Sequence, residues 1–265
     1  GATSGIGYET ALEYASHGAD ILTINRNQSK SARLCKKIKD LYGVECSFLI
    51  ADFTRLAEVR SIAEELSAME RNIDVLIHNA GALHKVRVLT QEGLEPDFAL
   101  HLAGPHLLTK LLQPKLAKCR GRVIFVSSGG MYRERVSLAS TDWSGHDYDG
   151  VVAYARVKRA QVILTRLWAK VDPAIEFHAM HPGWVDTPGV ETSLPRFYRR
   201  LKRWLRTPAQ GADTITWLAS EPTLPAPSGQ FWLDRTPVTA YLLPNTREAT
   251  DEPEKLWSAL ELAVA

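Results

Sequence analysis

The sequence predicts a doubly wound α/β fold of the Rossmann type, a parallel sheet with helices on both faces. Short apolar runs alternate with amphipathic helical segments along the whole chain, and nearly continuous apolar strands are typical of parallel sheets covered on both faces. A glycine-rich segment at the N-terminus leads directly into a helix, as at a dinucleotide-binding turn. With 265 residues, the chain fits one large domain, residues 1–265, better than two small ones.

The elements follow one another in regular order. Helices are predicted by apolar residues at helical spacing, and strands by short runs rich in β-branched and aromatic residues. Gly18 follows the first helical run and suits the C-terminus of a helix. The predicted helices are 6–16, 29–42, 55–69, 96–117, 151–169, 208–219 and 254–263, and the predicted strands are 20–25, 46–52, 73–77, 122–126, 175–180 and 229–233.

Composition excludes several classes of function. The chain has 32 basic and 30 acidic residues, so no overall field favours nucleic acid and no such partner is expected. Its eight histidines form no HExxH motif and no cluster at metal-ligand spacing, so we expect no metal site. No apolar run approaches the roughly 18 residues that span a bilayer.

The three cysteines are odd in number and form no CxxC pair; they are Cys35, Cys46 and Cys119. This pattern predicts reduced thiols in an intracellular protein, cytoplasmic or peripheral to a membrane, with Cys119 the most exposed.

The sequence begins inside a motif, because no strand precedes Gly1. In the strand order 3-2-1-4-5-6 the strand before the glycine turn lies in mid-sheet, so its absence would leave two neighbouring strands unpaired. We therefore expect a truncated sequence, with an upstream targeting segment left open. A chain that truly started at Gly1 would be of low stability and would bind nucleotide weakly.

The first motif is the run GATSGIG at residues 1–7. Its glycines would allow a tight turn and the close approach of a pyrophosphate to the positive N-terminus of the helix. Alone, the pattern also fits an ordinary loop.

The next strand ends near Arg26, at the position where NAD-preferring folds place an acidic residue. An arginine at this position accommodates a 2′-phosphate. Arg26 therefore favours NADP(H), the alternative being an exposed arginine at a strand end.

The second motif pairs Tyr154 with Lys158, four positions apart on one face of a predicted helix. A nearby ammonium would lower the pKa of the phenol from about 10 towards the range of a general acid. Ser128 follows a predicted parallel strand, at the edge where such folds bind ligands. The three side chains together predict a catalytic site.

This ordered set of residues resembles the short-chain dehydrogenase/reductase family. The runs SSGGM (127–131), MHPGWVDTPGV (180–190) and AQGADT (209–214) are similar to its subgroup called dehydrogenase/reductase member twelve. The residues that carry the family resemblance are Gly1, Gly5, Gly7, Asn79, Ala80, Gly81, Ser128, Tyr154, Lys158, Pro182 and Gly183.

The resemblance implies a role for each of these positions. Tyr154 would donate a proton to a carbonyl oxygen that Ser128 holds, while the nicotinamide delivers a hydride and Lys158 binds its ribose. Asp52 would lie against the adenine, and Asn79 would support the central strand. The cofactor-binding residues implied are Gly1, Ser4, Gly5, Ile6, Gly7, Arg26, Asp52, Asn79, Ala80, Gly81, Tyr154, Lys158, Pro182, Gly183 and, at the carboxamide, Thr187.

The chain departs from the family pattern at two histidines. The family's catalytic asparagine, which steadies a water linking the lysine to solvent, aligns with His101. A histidine could hold such a water, but its bulk and its own titration would weaken activity. His78 stands where the family usually has an asparagine. Residues 133–150 resemble the loop that is inserted in the retinol-dehydrogenase-like branches of the family.

Residues 184–206 are expected to cover the substrate, because ligands enter at the carboxyl ends of the strands. Trp184, Met131 and Tyr132 are candidates for an apolar pocket wall and suggest a lipophilic carbonyl compound or alcohol. Simple packing is the alternative for Trp184 and Met131.

Within that segment, residues 196–206 place apolar side chains at helical spacing among basic ones. This pattern is typical of an interfacial helix on anionic lipid, and also of a substrate lid with solvated charges, which we favour. The apolar residues are Phe197, Leu201, Trp204 and Leu205.

Three functions are compatible with these motifs. The first is an NADP(H)-dependent carbonyl reductase or alcohol dehydrogenase. The second, suggested by His101, is a nucleotide-binding scaffold or sensor with weakened chemistry. A sugar-nucleotide epimerase shares the Tyr-x-x-x-Lys pattern but usually has a different glycine spacing. Relatives often form homodimers through the helices at 102–116 and 151–169.

Overall fold

The computed structural model describes residues 1–136 and 148–265. Its strands are β1 (Ile21–Asn25), β2 (Cys46–Ile50), β3 (Val75–His78), β4 (Arg122–Val126), β5 (Glu176–Met180), β6 (Phe231–Leu233) and β7 (Thr236–Pro237). Its α-helices are α1 (Gly5–Ser16), α2 (Gln28–Tyr42), α3 (Leu56–Ala68), α4 (Pro96–Phe98), α5 (Gly104–Lys118), α6 (Gly150–Val171), α7 (Pro188–Ser193), α8 (Pro195–Leu201), α9 (Pro208–Ser220) and α10 (Glu252–Ala263).

The predicted α/β fold with parallel strands is confirmed. Strands β3, β4, β5 and β6 pair in parallel in that order, and the short β7 adds an antiparallel edge. Strands β1 and β2 form a separate parallel pair. In the part of the chain that the structure describes, β1 and β3 are not paired with each other.

The glycine turn lies between the two sheets and contacts both. The Gly1 main-chain nitrogen donates a hydrogen bond to the Ile24 carbonyl of β1 (2.6 Å), and Asn79, after β3, donates from its side chain to the Gly1 carbonyl (2.6 Å). A Cβ atom on Gly1 would lie 2.7 Å from the Ala80 Cα atom, so only glycine fits here. The turn therefore fastens the carboxyl ends of β1 and β3 to each other.

The largest core lies between the five-stranded sheet and helices α3, α5, α6 and α10. Trp168 of α6 is fully buried, stacks on Phe177 of β5 at 5.6 Å and meets Trp257 of α10 at 5.1 Å. Trp257 also contacts His106 of α5 at 5.0 Å. Helix α10 thus covers part of the faces of α5 and α6 that we expected in a homodimer, and the homodimer stays a prediction.

The predicted helix 96–117 contains a local change of helix type. Residues Ala99–Ala103 form a π-helical turn before α5 begins. Pro105 has no N–H, and its ring crowds the carbonyl four residues earlier, so it cannot bond to the carbonyl of His101. That carbonyl accepts a hydrogen bond from the Gln161 side-chain amide of α6 instead (2.9 Å).

The prediction of three reduced thiols is wrong for two of the cysteines. Cys35 of α2 and Cys46 of β2 form a disulfide, with their Cα atoms 5.0 Å apart. The pairing arises because α2 packs across β2, a contact that spacing alone does not reveal. Cys119 is free but only partly exposed, and its thiol donates to the Ile73 carbonyl.

We expect the disulfide to contribute measurably to stability. The bridge closes a short loop, with a sequence separation of 11, and a loop of this size restricts the unfolded chain by about 3 kcal/mol. Cys35→Ser combined with Cys46→Ser should lower the free energy of unfolding by about that amount, while Cys119→Ser serves as the control. Alkylation of the unreduced, denatured protein should add one label by mass spectrometry; three labels would contradict the pairing.

Candidate active site

The predicted site residues converge at the carboxyl ends of β3, β4 and β5. Ser128 follows β4, Asn79 follows β3 and Pro182 follows β5, while α6 carries Tyr154 and Lys158 to the same edge. Parallel strands place their carboxyl ends together, so this edge is where the fold forms a ligand crevice. No cluster of potential metal ligands occurs within residues 1–136 and 148–265.

Ser128 and Tyr154 are neighbours in the site. The Ser128 hydroxyl acts to lower the pKa of the Tyr154 phenol, and the Ser128 oxygen accepts a hydrogen bond from the Gly130 N–H at 3.2 Å. The phenol is buried, and this burial raises the pKa of Tyr154 to about 12. At neutral pH Tyr154 is therefore a protonated donor beside a serine hydroxyl.

Lys158 lies beneath the same phenol. Its ammonium is 5.5 Å from the centre of the Tyr154 ring and donates to the Val126 carbonyl at 2.8 Å. Burial lowers the pKa of Lys158 to about 7, an effect that the Asp97 carboxylate opposes. The expected lowering of the pKa of Tyr154 by Lys158 is not found here, because burial dominates at both groups.

His101 does lie beside Tyr154, with its ring edge-on to the phenol at 5.4 Å. Its Nε2 atom donates to the Ala82 carbonyl at 2.8 Å, whereas its buried Nδ1 atom has no hydrogen-bond partner among the described residues. Burial, followed by the charge of Lys158, holds the pKa of His101 well below its usual value, so the ring is neutral. Gly81 leaves room for this ring, since a Cβ atom there would lie 3.1 Å from His101 Cε1.

The glycine turn forms an open cradle at the N-terminus of α1. Gly5 has a φ of +57°, and a Cβ atom on Gly7 would come within 2.1 Å of the Gly1 carbonyl oxygen. The Ser4 side chain makes no capping hydrogen bond, so the first N–H groups of the helix stay available to an anion. The Thr187 methyl faces Gly5 from the other side of the cradle.

Arg26 and Asp52 lie at the far end of this edge, after β1 and β2. The Arg26 guanidinium is 3.8 Å from the Asp52 carboxylate, and 67% of the Arg26 side chain is exposed. Asp52 accepts from both the N–H and the hydroxyl of Thr54 (2.9 and 2.8 Å). Arg26 thus presents its charge outward beside an ordered carboxylate.

The segment after Pro182 folds back against the site. Gly183 has a φ of +75°, and Arg206 packs against it while pairing with Asp234 (Nη2 to Oδ2, 2.7 Å). Trp184 is 46% exposed and contacts Phe197 at 4.4 Å.

The candidates for the pocket wall separate into two kinds. Met131 is fully buried in the main core, so it is a packing residue rather than part of a pocket wall. Tyr132 is partly buried, and its hydroxyl donates to the Thr239 carbonyl. Most of the predicted inserted loop, residues 137–147, lies outside the described residues.

A family model described as short chain dehydrogenase matches residues 1–196. The chain belongs to the short-chain dehydrogenase family. Dehydrogenase/reductase SDR family member 12 of Bos taurus is 42% identical over 98% of this chain and 83% of its own length. Human polyprenol dehydrogenase is 30% identical over 87% of this chain and 74% of its own length. A solved structure from Beutenbergia cavernae, which holds NADP at low occupancy, is 25% identical, covers 83% of this chain and 87% of that one, and has a TM-score of 0.67.

This short-chain dehydrogenase is therefore an oxidoreductase with a nucleotide-binding Rossmann fold. Its structure brings Ser128, Tyr154, Lys158 and His101 together, and it places the glycine turn next to Asn79, Ala80 and Thr187. Arg26 and Asp52 lie apart from the catalytic group, at the ends of β1 and β2.

Sequence reasoning missed two residues of the dehydrogenase's site. Asp97 is fully buried, and its charge acts on Lys158; His84 is hydrogen-bonded to Asp97 at 2.6 Å. Asp97 stands four positions before His101, a spacing that places two residues on one face of a helix and could have drawn attention to it. Nothing in the sequence around His84 indicates this contact.

Stability of the dehydrogenase should rise with pH above neutrality. Folding lowers the pKa of Lys158 from 10.5 to about 7, so the unfolded chain binds more protons between these values and the free energy of unfolding increases with pH. The slope contributed is at most about 1.4 kcal/mol per pH unit. Lys158→Met should remove this contribution, whereas Lys170→Met, at the exposed end of the same helix, should keep it. Denaturant unfolding between about pH 7.5 and 9.5 measures the slopes, and parallel slopes for the wild type and Lys158→Met would refute a buried, neutralised Lys158.

Proposed function

We propose that the protein is an NADP(H)-dependent oxidoreductase that interconverts a lipophilic carbonyl compound and its alcohol. The observation that carries this proposal is the grouping of Ser128, Tyr154 and Lys158 at the ligand-binding edge of the sheet, with the Lys158 ammonium 5.5 Å from the centre of the phenol ring. These groups suit proton transfer to a carbonyl oxygen, because a buried phenol that stays protonated at neutral pH is a proton donor.

The proposed chemistry divides between the side chains and the cofactor. Tyr154 gives its proton to the carbonyl oxygen, and the Ser128 hydroxyl holds that oxygen in place. NADPH, when bound, supplies the hydride. In the reverse direction Tyr154 accepts the proton from the alcohol.

The residues around the glycine turn fit a dinucleotide. The open N-terminus of α1 and the missing side chains at Gly5 and Gly7 leave room for a pyrophosphate. The exposed Arg26 would face a 2′-phosphate and favour NADP(H) over NAD(H). The NADP held by the Beutenbergia cavernae structure supports this preference.

A lipophilic substrate is supported by the surroundings of the site. Trp184 and Phe197 form a partly exposed aromatic pair in the covering segment, and a relative that matches most of the chain is named polyprenol dehydrogenase.

His101 favours the second candidate, a nucleotide-binding scaffold, because its Nδ1 atom, which has no partner among the described residues, lies in the catalytic group. The intact Ser128, Tyr154 and Lys158 favour the enzyme.

Turnover of NADPH with a panel of lipophilic aldehydes and ketones tests the proposal. Tyr154→Phe should reduce kcat by about 10²–10⁴-fold, because it removes the general acid, while Tyr42→Phe, at the exposed end of α2, should leave kcat unchanged.

The preference for NADP(H) is tested by charge reversal. Arg26→Glu should weaken the binding of NADPH relative to that of NADH, with Arg33→Glu as the matched control on the surface of α2. A folded protein that binds NADPH but reduces no compound of the panel would favour the scaffold.

We further propose that the covering segment contacts anionic membranes. Trp204 is 84% exposed. In the described part of the chain, the neighbouring Arg196, Arg199, Arg200 and Arg203 form no ion pair with an acidic residue. An exposed tryptophan among unneutralised cations is typical of a surface that sits on anionic lipid.

A second exposed apolar group lies beside this surface. The loop after β3 exposes Val86, Val88 and Leu89, and Lys85 of this loop donates to the Thr192 carbonyl of α7 at 2.9 Å. A lid alone would hide its apolar side chains, so the exposure of Trp204 favours lipid contact in addition to a covering role. In the described residues no helix is both long and apolar enough to cross a bilayer.

Sedimentation with vesicles measures this contact. Binding should be stronger to phosphatidylserine than to phosphatidylcholine vesicles and should weaken with salt. Reversal of Arg199, Arg200 and Arg203 to Glu should reduce binding about tenfold or more, and Trp204→Ala should reduce it at all salt concentrations. Reversal of the exposed Lys39, Lys118 and Lys170 is the control for net charge. If the two triple variants bound anionic vesicles equally well, the attraction would be non-specific and the proposed membrane surface would be wrong.

A further inference from the structure

The covering segment, residues 184–206, is closed at its two ends by main-chain hydrogen bonds. The Arg206 N–H donates to the Trp184 carbonyl, and the Asp186 N–H donates to the Arg206 carbonyl, both at 2.8 Å. Val185, which lies between these two bonds and forms a parallel bridge with Arg206, is only 2% exposed. The first and last residues of the segment therefore form a joined base, from which the rest of the segment extends as a loop.

The Arg206 side chain fastens this base to two other parts of the domain. Its terminal nitrogens donate to both oxygens of Asp234 (Nη1 to Oδ1, 2.5 Å; Nη2 to Oδ2, 2.7 Å), and Nη1 also donates to the Pro182 carbonyl at 3.4 Å. A Cβ atom on Gly183 would lie 2.9 Å from Arg206 Nε. A two-pronged pair of this kind fixes the orientation of both side chains, so the guanidinium holds the turn after β5 against the hairpin after β6.

Asp234 is itself held in an unusual backbone conformation. It lies with Arg235 on the two-residue turn between β6 and β7, and both residues have positive φ, +50° and +60°. Such turns usually contain asparagine and glycine, and backbone strain of this kind persists where surrounding contacts fix it. Here the Arg235 N–H donates to Thr214 Oγ1 of α9 (3.2 Å), and the Arg235 side chain donates to Asp213 (Nε to Oδ2, 2.9 Å). The carboxylate that receives Arg206 is therefore firmly placed.

The base of the covering segment also packs against the glycine turn. A Cβ atom on Gly211 of α9 would lie 2.8 Å from Val185 Cγ2 and 3.1 Å from Ile6 Cγ1, so both side chains pack on this glycine. Two residues after Val185, the Thr187 methyl lies 3.2 Å from the position of a Cβ atom on Gly5. The position of the base thus sets where Thr187 stands at the nucleotide cradle.

The outer part of the segment is packed much more loosely than its base. Of residues 187–205, all of which the structure describes, Tyr198 alone is buried. Its hydroxyl donates to Asp186 Oδ1 at the base (2.8 Å). The short helices α7 and α8 make up most of this part, and few buried contacts are typical of a region that opens locally. The segment therefore combines a fixed base with an outer part that opens at little cost.

We propose that Arg206 and Asp234 are positioning residues that hold Thr187 and the Pro182–Gly183 turn at the edge of the nucleotide cradle while α7 and α8 move over the substrate. The inference rests on the NADP(H)-dependent function proposed above. Partly exposed ion pairs add little to overall stability, so the pair acts on the local geometry of the base. Its loss loosens the cradle and leaves the fold intact.

The first test uses the free protein, without cofactor or substrate. Amide hydrogen exchange at Asp186, followed by NMR, reports how often the base opens. Arg206→Met removes all three side-chain bonds, and Asp234→Asn removes the charge from the pair while keeping a residue that tolerates positive φ. In both variants exchange at Asp186 should become about tenfold faster or more, because hydrogen bonds between charged groups are lost.

Arg235→Met is the matched control for this measurement. It changes the neighbouring residue of the same turn and removes the side-chain bond to Asp213, but it leaves the pair of Arg206 with Asp234 in place. Exchange at Asp186 should therefore stay at the wild-type rate in this variant. Wild-type exchange in folded Arg206→Met and Asp234→Asn would overturn the proposal, and so would equal acceleration in all three variants.

The second test measures NADPH binding by titration calorimetry and by turnover. Arg206→Met should raise the Kd for NADPH about fivefold or more, and Arg206→Lys should recover only part of the loss, because lysine lacks the two-pronged geometry. The KM for NADPH should rise more than kcat falls, whereas partial unfolding would lower kcat and leave KM unchanged. A wild-type Kd in folded Arg206→Met would overturn the proposal. If the wild type itself binds no NADPH, the proposed function fails, and exchange at Asp186 still decides whether the pair holds the base.

Discussion

Burial of helix α6 is the constraint on which the catalytic group depends. The helix packs against the π-helical turn Ala99–Ala103, β5 and α10, and three of its buried polar side chains donate hydrogen bonds in the interior. The side chain of Arg159, which is fully buried, donates to the Ala240 carbonyl and the Thr246 hydroxyl. Because unpaired buried polar groups cost free energy, these bonds allow one helix to carry Lys158, Arg159 and Gln161 inside the protein.

The same burial sets the chemistry of the site. A low-dielectric environment favours the neutral forms of both the phenol and the amine, so the pKa of Tyr154 is raised and that of Lys158 is lowered. The negative charge of Asp97 acts in the opposite direction on Lys158. Burial and the Asp97 carboxylate thus act in opposite directions on the pKa of Lys158. The Asp97 carboxylate is itself bonded to His84, which is partly exposed.

The glycine turn provides the second constraint, because it contacts both sheets. Gly1 bonds to β1 through its main-chain nitrogen and to Asn79 through its carbonyl, and Gly7 fits only because it lacks a side chain. The contact that links the strands also leaves the N-terminus of α1 open to an anion. Fold and nucleotide site therefore depend on the same close approach of backbone to backbone.

The sequence by itself determined the order of the elements and most of the catalytic group. Local periodicity sets where helices and strands form, and the four-residue spacing of Tyr154 and Lys158 puts them on one helix face. Arg26 and Ser128 could be located because each follows a strand, and the carboxyl ends of parallel strands meet at one edge.

Only the tertiary structure decided the remaining features, because they depend on contacts between distant segments and on burial. The Cys35–Cys46 bond requires α2 to pack on β2, and Met131 proved to be a core residue once its surroundings were known. The spacing of Tyr154 and Lys158 predicted a lowered pKa for the phenol, but the pKa is raised because burial dominates. The burial of a side chain cannot be judged from sequence spacing. The pairing of His84 with Asp97 is of the same kind: two segments without a shared pattern meet because the chain folds over the start of α6.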